Sequence, residues 1–167
     1  MVHAAVRLSF LKGIEKMETV IYTDGSDERF AALCRQLDKF LDEKIGKEKQ
    51  QAQYNAYNTL QAIHHAVLIL VDGCAAACGA MKQYAPGAAE IKRVFVCPQY
   101  RRRGLARKVL CELEQTAAEI GCSTLLLETG KPLTAAQNLY ESCGWHPIPN
   151  YGQYAGVNTS VCMQKEL

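Results

Sequence analysis

Residues 89–121 constrain the fold more than any other stretch of this chain. Residues 91–96 are apolar enough to form a largely buried strand, and Pro98 ends it because proline cannot donate to a strand ladder. From Leu105 onward, apolar residues recur at intervals of three and four, which predicts an amphipathic helix that Gly121 terminates. A buried strand followed at once by a long helix is typical of an α/β fold.

The turn between this strand and this helix is predicted to bind a pyrophosphate. A helix start offers unpaired backbone N–H groups and the positive end of the helix dipole, and guanidinium groups are strong donors to phosphate. Gly104 and Ala106 are small enough to let the backbone approach a phosphate closely. The residues expected to contribute are Arg101, Arg102, Arg103, Gly104, Leu105, Ala106 and Arg107. A short basic run is also compatible with a nucleic-acid patch or a solvated surface, but its place between a buried strand and an amphipathic helix favours phosphate.

The pattern RxxGxA in this turn resembles the acyl-coenzyme A binding motif of the GNAT (Gcn5-related N-acetyltransferase) superfamily. Residues 136–145, AQNLYESCGW, resemble the later helix of that family with its tyrosine, followed by a glycine-aromatic step into the next strand. The two stretches cover the C-terminal half of the chain, and the remainder matches in the order of its elements. The resemblance implies a mixed, mostly antiparallel central sheet flanked by helices, and an N-acetyltransferase that uses acetyl-CoA as cosubstrate.

Length and composition indicate a single domain. The chain has 167 residues, 49% of them hydrophobic, which is enough for one sizeable core. The expected element order is βααβββαβαββ, with the first strand starting at Met17. Residues 1–16 are therefore interpreted as an extension of unknown role, and residues 17–167 as the domain.

Charge and cysteine usage narrow the functional classes. A net charge of +2 is too small for an obligate nucleic-acid binder, and the apolar residues near the N-terminus are too interrupted for a membrane span. The eight cysteines are expected to be reduced, mostly buried thiols in a cytoplasmic protein, and no set of residues has the spacing of a zinc site. We therefore expect no nucleic acid, membrane or metal partner.

Amine acetylation requires a base, because an alkylamine with a pKa of about 10.4 is mostly protonated at neutral pH. Glu90 is the predicted base, since it lies at the start of the strand where several GNAT enzymes place a glutamate. Alternatively, Glu90 is a solvated carboxylate or a partner for Lys92. Glu128, at the end of the neighbouring strand, is the second carboxylate to consider and a predicted substrate contact.

The thioester also needs polarisation and its thiolate needs a proton. Backbone N–H groups of Val94, Phe95 and Val96 would meet the thioester oxygen if this strand splays from its neighbour. Tyr140, placed as the family's helix tyrosine, is the predicted proton donor, with packing in the core as the alternative. Many relatives carry Asn or Gln seven residues before this tyrosine, where this chain has Leu133, so a polar contact to coenzyme A is either missing or supplied by Asn138.

The acceptor site is expected to involve a second helix within residues 50–63. By resemblance, Tyr54, Asn55, Tyr57 and Asn58 are candidate contacts to a small-molecule amine or an amino-acid-like acceptor, although the tyrosines could simply pack on the sheet. A possible homodimer is suggested only by the resemblance to the GNAT superfamily. The alternative function is a non-catalytic acyl-CoA sensor or interaction module with the same fold.

Overall fold

The structure is a computed structural model that describes residues 6–8, 17–46 and 60–167. These ranges form one eight-stranded sheet with the order β1-β2-β3-β4-β5-β6-β8-β7. The strands are β1 Val6–Leu8, β2 Glu18–Thr23, β3 His65–Val71, β4 Cys74–Ala85, β5 Ala88–Val96, β6 Thr124–Gly130, β7 His146–Ile148 and β8 Ser160–Glu166. Neighbouring strands are antiparallel except β5 and β6, which are parallel. The predicted mixed, mostly antiparallel sheet is therefore confirmed.

Within the described ranges, α-helices span α1 Glu28–Ile45, α2 Leu105–Glu119 and α3 Thr134–Ser142. The side chain of Asp27 caps α1 by accepting a hydrogen bond from the Arg29 backbone N–H, as its residue type favours. The sequence favours Thr134 as the cap of α3, but Thr134 is the first helical residue, and Leu133 precedes it without a side-chain cap bond. The predicted end of α2 is confirmed, since Gly121 follows it with φ +85°.

Two apolar clusters lie on opposite faces of the sheet. On one face, α1 packs against β4 and β5, and its Phe30 and Leu33 belong to the same buried cluster as Leu68 of β3. On the other face, α2 packs Val109 and Leu113 against β3, β4 and β5. Ile69, the residue after Leu68 on β3, belongs to this second cluster because successive side chains of a strand point to opposite faces. Gly79 on β4 allows α2 to come this close, because an added Cβ would lie 2.5 Å from a Val109 methyl group.

The sheet opens between β5 and β6. Their parallel pairing is confined to Ala88–Ile91 of β5 against Thr124–Leu127 of β6, whereas β6 continues to pair with β8 as far as Gly130. Arg93 has φ +58°, and the β4–β5 register shifts beside it, which marks an irregularity that re-aims the strand. The second half of β5 therefore leaves β6. This is the splay on which the predicted contact of the thioester with residues 94–96 depends.

In the N-terminal part of the chain, the observed elements differ from the predicted element order. Strand β1 pairs antiparallel with β2, although residues 1–16 were expected to precede the first strand. Most of the second predicted helix, over residues 50–63, lies outside the described residues, and Leu60–Ala62 form a 3-10 turn. None of the helices in the described ranges is both long and apolar enough to cross a membrane.

Candidate active site

A cavity of about 590 Å³ opens where β5 and β6 diverge. Its walls come from the second half of β5, the turn into α2, the end of β6, helix α3 and the C-terminal half of α1. It gathers most of the predicted site residues that the structure describes: Glu90, Val94, Phe95, Val96, Arg101, Arg102, Gly104, Leu105, Ala106, Arg107, Glu128 and Tyr140. The strand divergence thus brings both predicted carboxylates and the basic turn to one space.

The basic turn forms one end of this cavity. Gly104 has φ +77°, a left-handed conformation that favours glycine, and an added Cβ there would face open space. The first helical bond runs from the Lys108 N–H to the Gly104 carbonyl, so the N–H groups of residues 105–107 precede the helical ladder. The Arg101 guanidinium lies over the Phe40 ring, 5.1 Å from its centroid, and donates to the Val96 carbonyl at 3.2 Å. This end has the backbone donors and charge to hold an anion.

Two predicted coenzyme contacts do not reach the cavity. Arg103 is exposed, lies over the Tyr100 ring and donates to the Gln99 carbonyl, so it is not among the cavity-lining residues. Asn138 is exposed on α3 and is not a lining residue either, whereas Leu133 is. The structure therefore does not support Asn138 as a replacement for the missing polar group.

Arg107 both lines the cavity and ties two helices together. Its guanidinium donates to the Ser142 carbonyl at 3.1 Å and to the Ser142 hydroxyl at 2.9 Å, which joins the start of α2 to the end of α3. The two stretches that carry the sequence resemblance are thereby in direct contact.

Glu90 lies at the other end of the cavity and is buried, with 5% of its surface exposed. The Tyr151 hydroxyl donates to Glu90 Oε1 at 3.0 Å, and Lys92 Nζ lies 3.3 Å from Glu90 Oε2. Lys92 also donates to the Tyr154 hydroxyl at 3.1 Å. Glu90 is therefore not the solvated carboxylate of the alternative interpretation, but the predicted partnership with Lys92 does exist.

Tyr151 and Tyr154 were not among the predicted site residues, although both lie in a tyrosine- and glycine-rich loop between β7 and β8. Burial, followed by the neighbouring Glu90 charge, raises the pKa of both phenols above the ordinary value. Their hydroxyls therefore stay protonated across the physiological range.

Glu128 and Tyr140 occupy the β6 and α3 walls. Glu128 Oε1 accepts a hydrogen bond from the Ser160 hydroxyl at 2.5 Å. The Tyr140 ring is 8% exposed and packs against Trp145 with 6.1 Å between ring centroids. Burial raises the pKa of Tyr140, so its phenol is protonated and lines the cavity while its ring belongs to the core. The geometry thus accommodates both proton donation and packing.

The remaining predicted contacts are not all described. Tyr54, Asn55, Tyr57 and Asn58 lie outside the described residues. All eight cysteines are free thiols, and four of them are buried. Across the described ranges, no cluster of histidine, cysteine and carboxylate side chains is arranged to hold a metal ion.

Comparison with known proteins links this cavity to one family. Residues 30–145 match the profile of the acetyltransferase (GNAT) family. The chain is 34% identical over 94 residues to an uncharacterized N-acetyltransferase, YsnE, of Bacillus subtilis (strain 168), covering 55% of this chain and 62% of the relative. It is also 34% identical over 97 residues to an IAA acetyltransferase of Azospirillum brasilense, covering 58% of this chain and 63% of the relative. The chain thus spans about three-fifths of the length of these curated relatives.

A solved structure extends the similarity over nearly the whole chain. A candidate acyl-CoA N-acyltransferase from Klebsiella pneumoniae subsp. pneumoniae MGH 78578 is 32% identical, with a TM-score of 0.75 over 90% of this chain and 97% of the other. The family match includes β5, the basic turn and α3 but ends before the loop that carries Tyr151 and Tyr154.

Proposed function

Because this chain belongs to the acetyltransferase (GNAT) family, we propose that it moves an acetyl group from acetyl-CoA directly to the primary amine of a small-molecule or amino-acid-like acceptor. The observation that carries this proposal is one cavity with a basic helix start at one end and the buried carboxylate of Glu90 at the other. The similar Klebsiella protein is described as a candidate acyl-CoA N-acyltransferase, which supports a coenzyme A thioester as donor.

The basic end is the proposed site for the coenzyme pyrophosphate. The N–H groups of residues 105–107 and the guanidinium groups of Arg101, Arg102 and Arg107 would balance its charge. From there β5 leads towards Glu90, and the gap beyond Ile91 gives an acyl chain access to the backbone of residues 94–96. An N–H group in this gap would stabilise negative charge on the thioester oxygen as the amine attacks.

Glu90 is the proposed base at the acceptor end. Its carboxylate removes a proton from the acceptor ammonium, directly or through water, so that the neutral amine attacks the thioester carbonyl. A C–N bond forms, the C–S bond breaks, and the electron pair of that bond leaves with the coenzyme A sulfur. The protonated Tyr140 phenol supplies the proton for this thiolate, the attached nitrogen returns its second proton to the resulting phenolate, and the amide product carries the acetyl group.

Release of free thiol from acetyl-CoA in the presence of a panel of amines tests this function. We expect thiol release that depends on one class of amine, with the acetylated amine as the second product by mass spectrometry. Calorimetric binding of acetyl-CoA is measured in parallel. Tight binding without amine-dependent thiol release would identify a sensor or interaction module instead of an enzyme.

A further inference from the structure

The loop between β7 and β8 is a hydrogen-bonded unit that reaches Glu90. The Asn150 side-chain amide donates to the Val157 carbonyl at 2.9 Å and to the Ser160 carbonyl at 3.3 Å, which closes the loop across its base. Inside it, the Tyr154 N–H donates to the Tyr151 carbonyl at 2.8 Å. The loop therefore holds its tyrosines in a fixed arrangement.

Aromatic packing fixes the Tyr151 ring from two sides. The Tyr84 ring on β4 meets it edge-on with 5.1 Å between centroids, and the Tyr154 ring meets it edge-on at 5.6 Å. Both distances lie in the range where edge-to-face aromatic pairs are favourable. With its ring held in this way, the Tyr151 hydroxyl is kept within 3.0 Å of Glu90 Oε1.

Lys92 engages the other carboxylate oxygen. Its Nζ lies 3.3 Å from Glu90 Oε2, and the side chains of both residues are less than 10% exposed. The Tyr154 hydroxyl accepts a hydrogen bond from the same ammonium, whose nitrogen lies 5.8 Å from the centroid of the Tyr154 ring. Each oxygen of Glu90 therefore has its own donor, and the two donors together resist rotation of the carboxylate.

We propose that Tyr151 and Lys92 are positioning residues that hold the Glu90 carboxylate in the orientation in which it accepts the proton of the acceptor amine. A carboxylate offers about four lone-pair sites, so the two donors leave capacity for the acceptor. A base must also lie within about 2.6–3.2 Å of the group it deprotonates, which a freely rotating side chain would not maintain. The inference rests on the proposed function, because it requires Glu90 to be the base.

The Tyr151→Phe variant removes the hydroxyl and retains the ring. We expect kcat/KM for the amine to fall about ten- to a hundredfold, the size of one hydrogen bond to a charged group, while KM for acetyl-CoA stays at the wild-type value. The acidic limb of the kcat/KM pH profile should move to higher pH, because the ionised carboxylate loses a donor. A purely structural tyrosine would lower the melting temperature without moving that limb.

The matched control is Tyr84→Phe, which removes the Tyr84 hydroxyl and keeps the ring that meets Tyr151 edge-on. This variant should keep the wild-type rate and pH profile. Lys92→Met removes the ammonium but keeps a long apolar side chain, and it should lower kcat more than it raises KM for the amine. Circular dichroism and melting temperature establish that each variant is folded.

Combining Tyr151→Phe with Glu90→Gln distinguishes a Tyr151 that acts through Glu90 from a Tyr151 that only packs in the fold. If Tyr151 acts through Glu90, adding Tyr151→Phe to Glu90→Gln should cause no further loss of kcat/KM. Equal losses from Tyr151→Phe in both backgrounds would overturn the inference, and so would a folded Tyr151→Phe protein with wild-type rate and pH profile. Absence of amine-dependent thiol release by the wild type would instead reject the proposed function, and the inference would fall with it.

Discussion

The two ends of the cavity are built in different ways. The basic end is a continuous turn, residues 101–107, whose arginines are exposed and whose donors are backbone N–H groups and guanidinium groups. The carboxylate end combines Glu90 and Lys92 of β5 with Tyr151 and Tyr154 from a loop far along the chain, and all four are at least half buried. A local turn can be predicted from the spacing of residues in the sequence, whereas the buried network exists only after distant segments have docked.

This difference predicts different sensitivities. Exposed guanidinium groups interact with phosphate through screened electrostatics, so coenzyme binding should weaken as salt rises. The buried Glu90–Lys92 pair is shielded from salt but is costly to break, since removal of one partner leaves an uncompensated buried charge. Variants at the basic end should therefore lower coenzyme affinity, and variants at the carboxylate end should lower the rate of acetyl transfer.

The largest effect is expected for Gly104→Asp. Like charges about 4 Å apart cost about 4 kcal/mol near a protein surface, so acetyl-CoA affinity should fall about a thousandfold in isothermal titration. Gly104→Asn is the matched control, because asparagine has the same shape and also tolerates a left-handed conformation. Equal acetyl-CoA affinities of the two variants would show that this turn does not bind the pyrophosphate.

At the carboxylate end, Glu90→Gln should lower kcat/KM about a hundredfold, as expected for loss of a general base, with coenzyme affinity unchanged. The deficit should be greatest at low pH, where the neutral amine is scarce. Glu128→Gln is the companion variant, since this carboxylate lines the same cavity. A larger loss in Glu128→Gln than in Glu90→Gln would transfer the base role to β6.

A smaller effect is expected for Tyr140→Phe, on the α3 wall of the cavity. Burial raises the pKa of this phenol further above the value of about 8.5 for a free thiol, so proton transfer to the thiolate is less favourable and kcat should fall only about tenfold. Melting temperature and acetyl-CoA affinity should stay near wild type. Early melting with intact kcat would indicate that the hydroxyl has a structural role.

The smallest effect is expected when residues 1–16 are removed. The shortened chain keeps Met17, whose carbonyl accepts from the Asp72 N–H at 2.9 Å, but it loses the three-residue pairing of β1 with β2. Since β1 lies at the sheet edge and both ends of the cavity lie further along the chain, thermal midpoint and coenzyme affinity should change little. A clear drop in either would show that this segment supports the domain.

Local features of the fold could be predicted because short-range backbone preferences determine them. The Asp72-Gly73 dipeptide favours a two-residue hairpin turn, and the structure gives both residues positive φ values of +51° and +80°. The sequence offers Ser26 and Asp27 as candidate caps at the start of α1, and Asp27 is the one that caps it. Boundaries set by packing are not visible in local preferences: α1 continues to Ile45, where that side chain approaches Gly130, and β6 continues past Glu128 to Gly130 beside β8.

By itself, the sequence determined the strand-turn-helix and its basic turn, because the spacing of apolar residues and the needs of a helix start act over a few residues, and the resemblance to the GNAT superfamily implied the mixed sheet. Tertiary structure decided which side chains share the cavity. The irregularity at Arg93 and the divergence of β5 from β6 opened it, and the turn geometry left Arg103 outside. The docking of the β7–β8 loop brought Tyr151 to Glu90, because contacts between residues 61 positions apart depend on strand register and loop closure rather than on local preference.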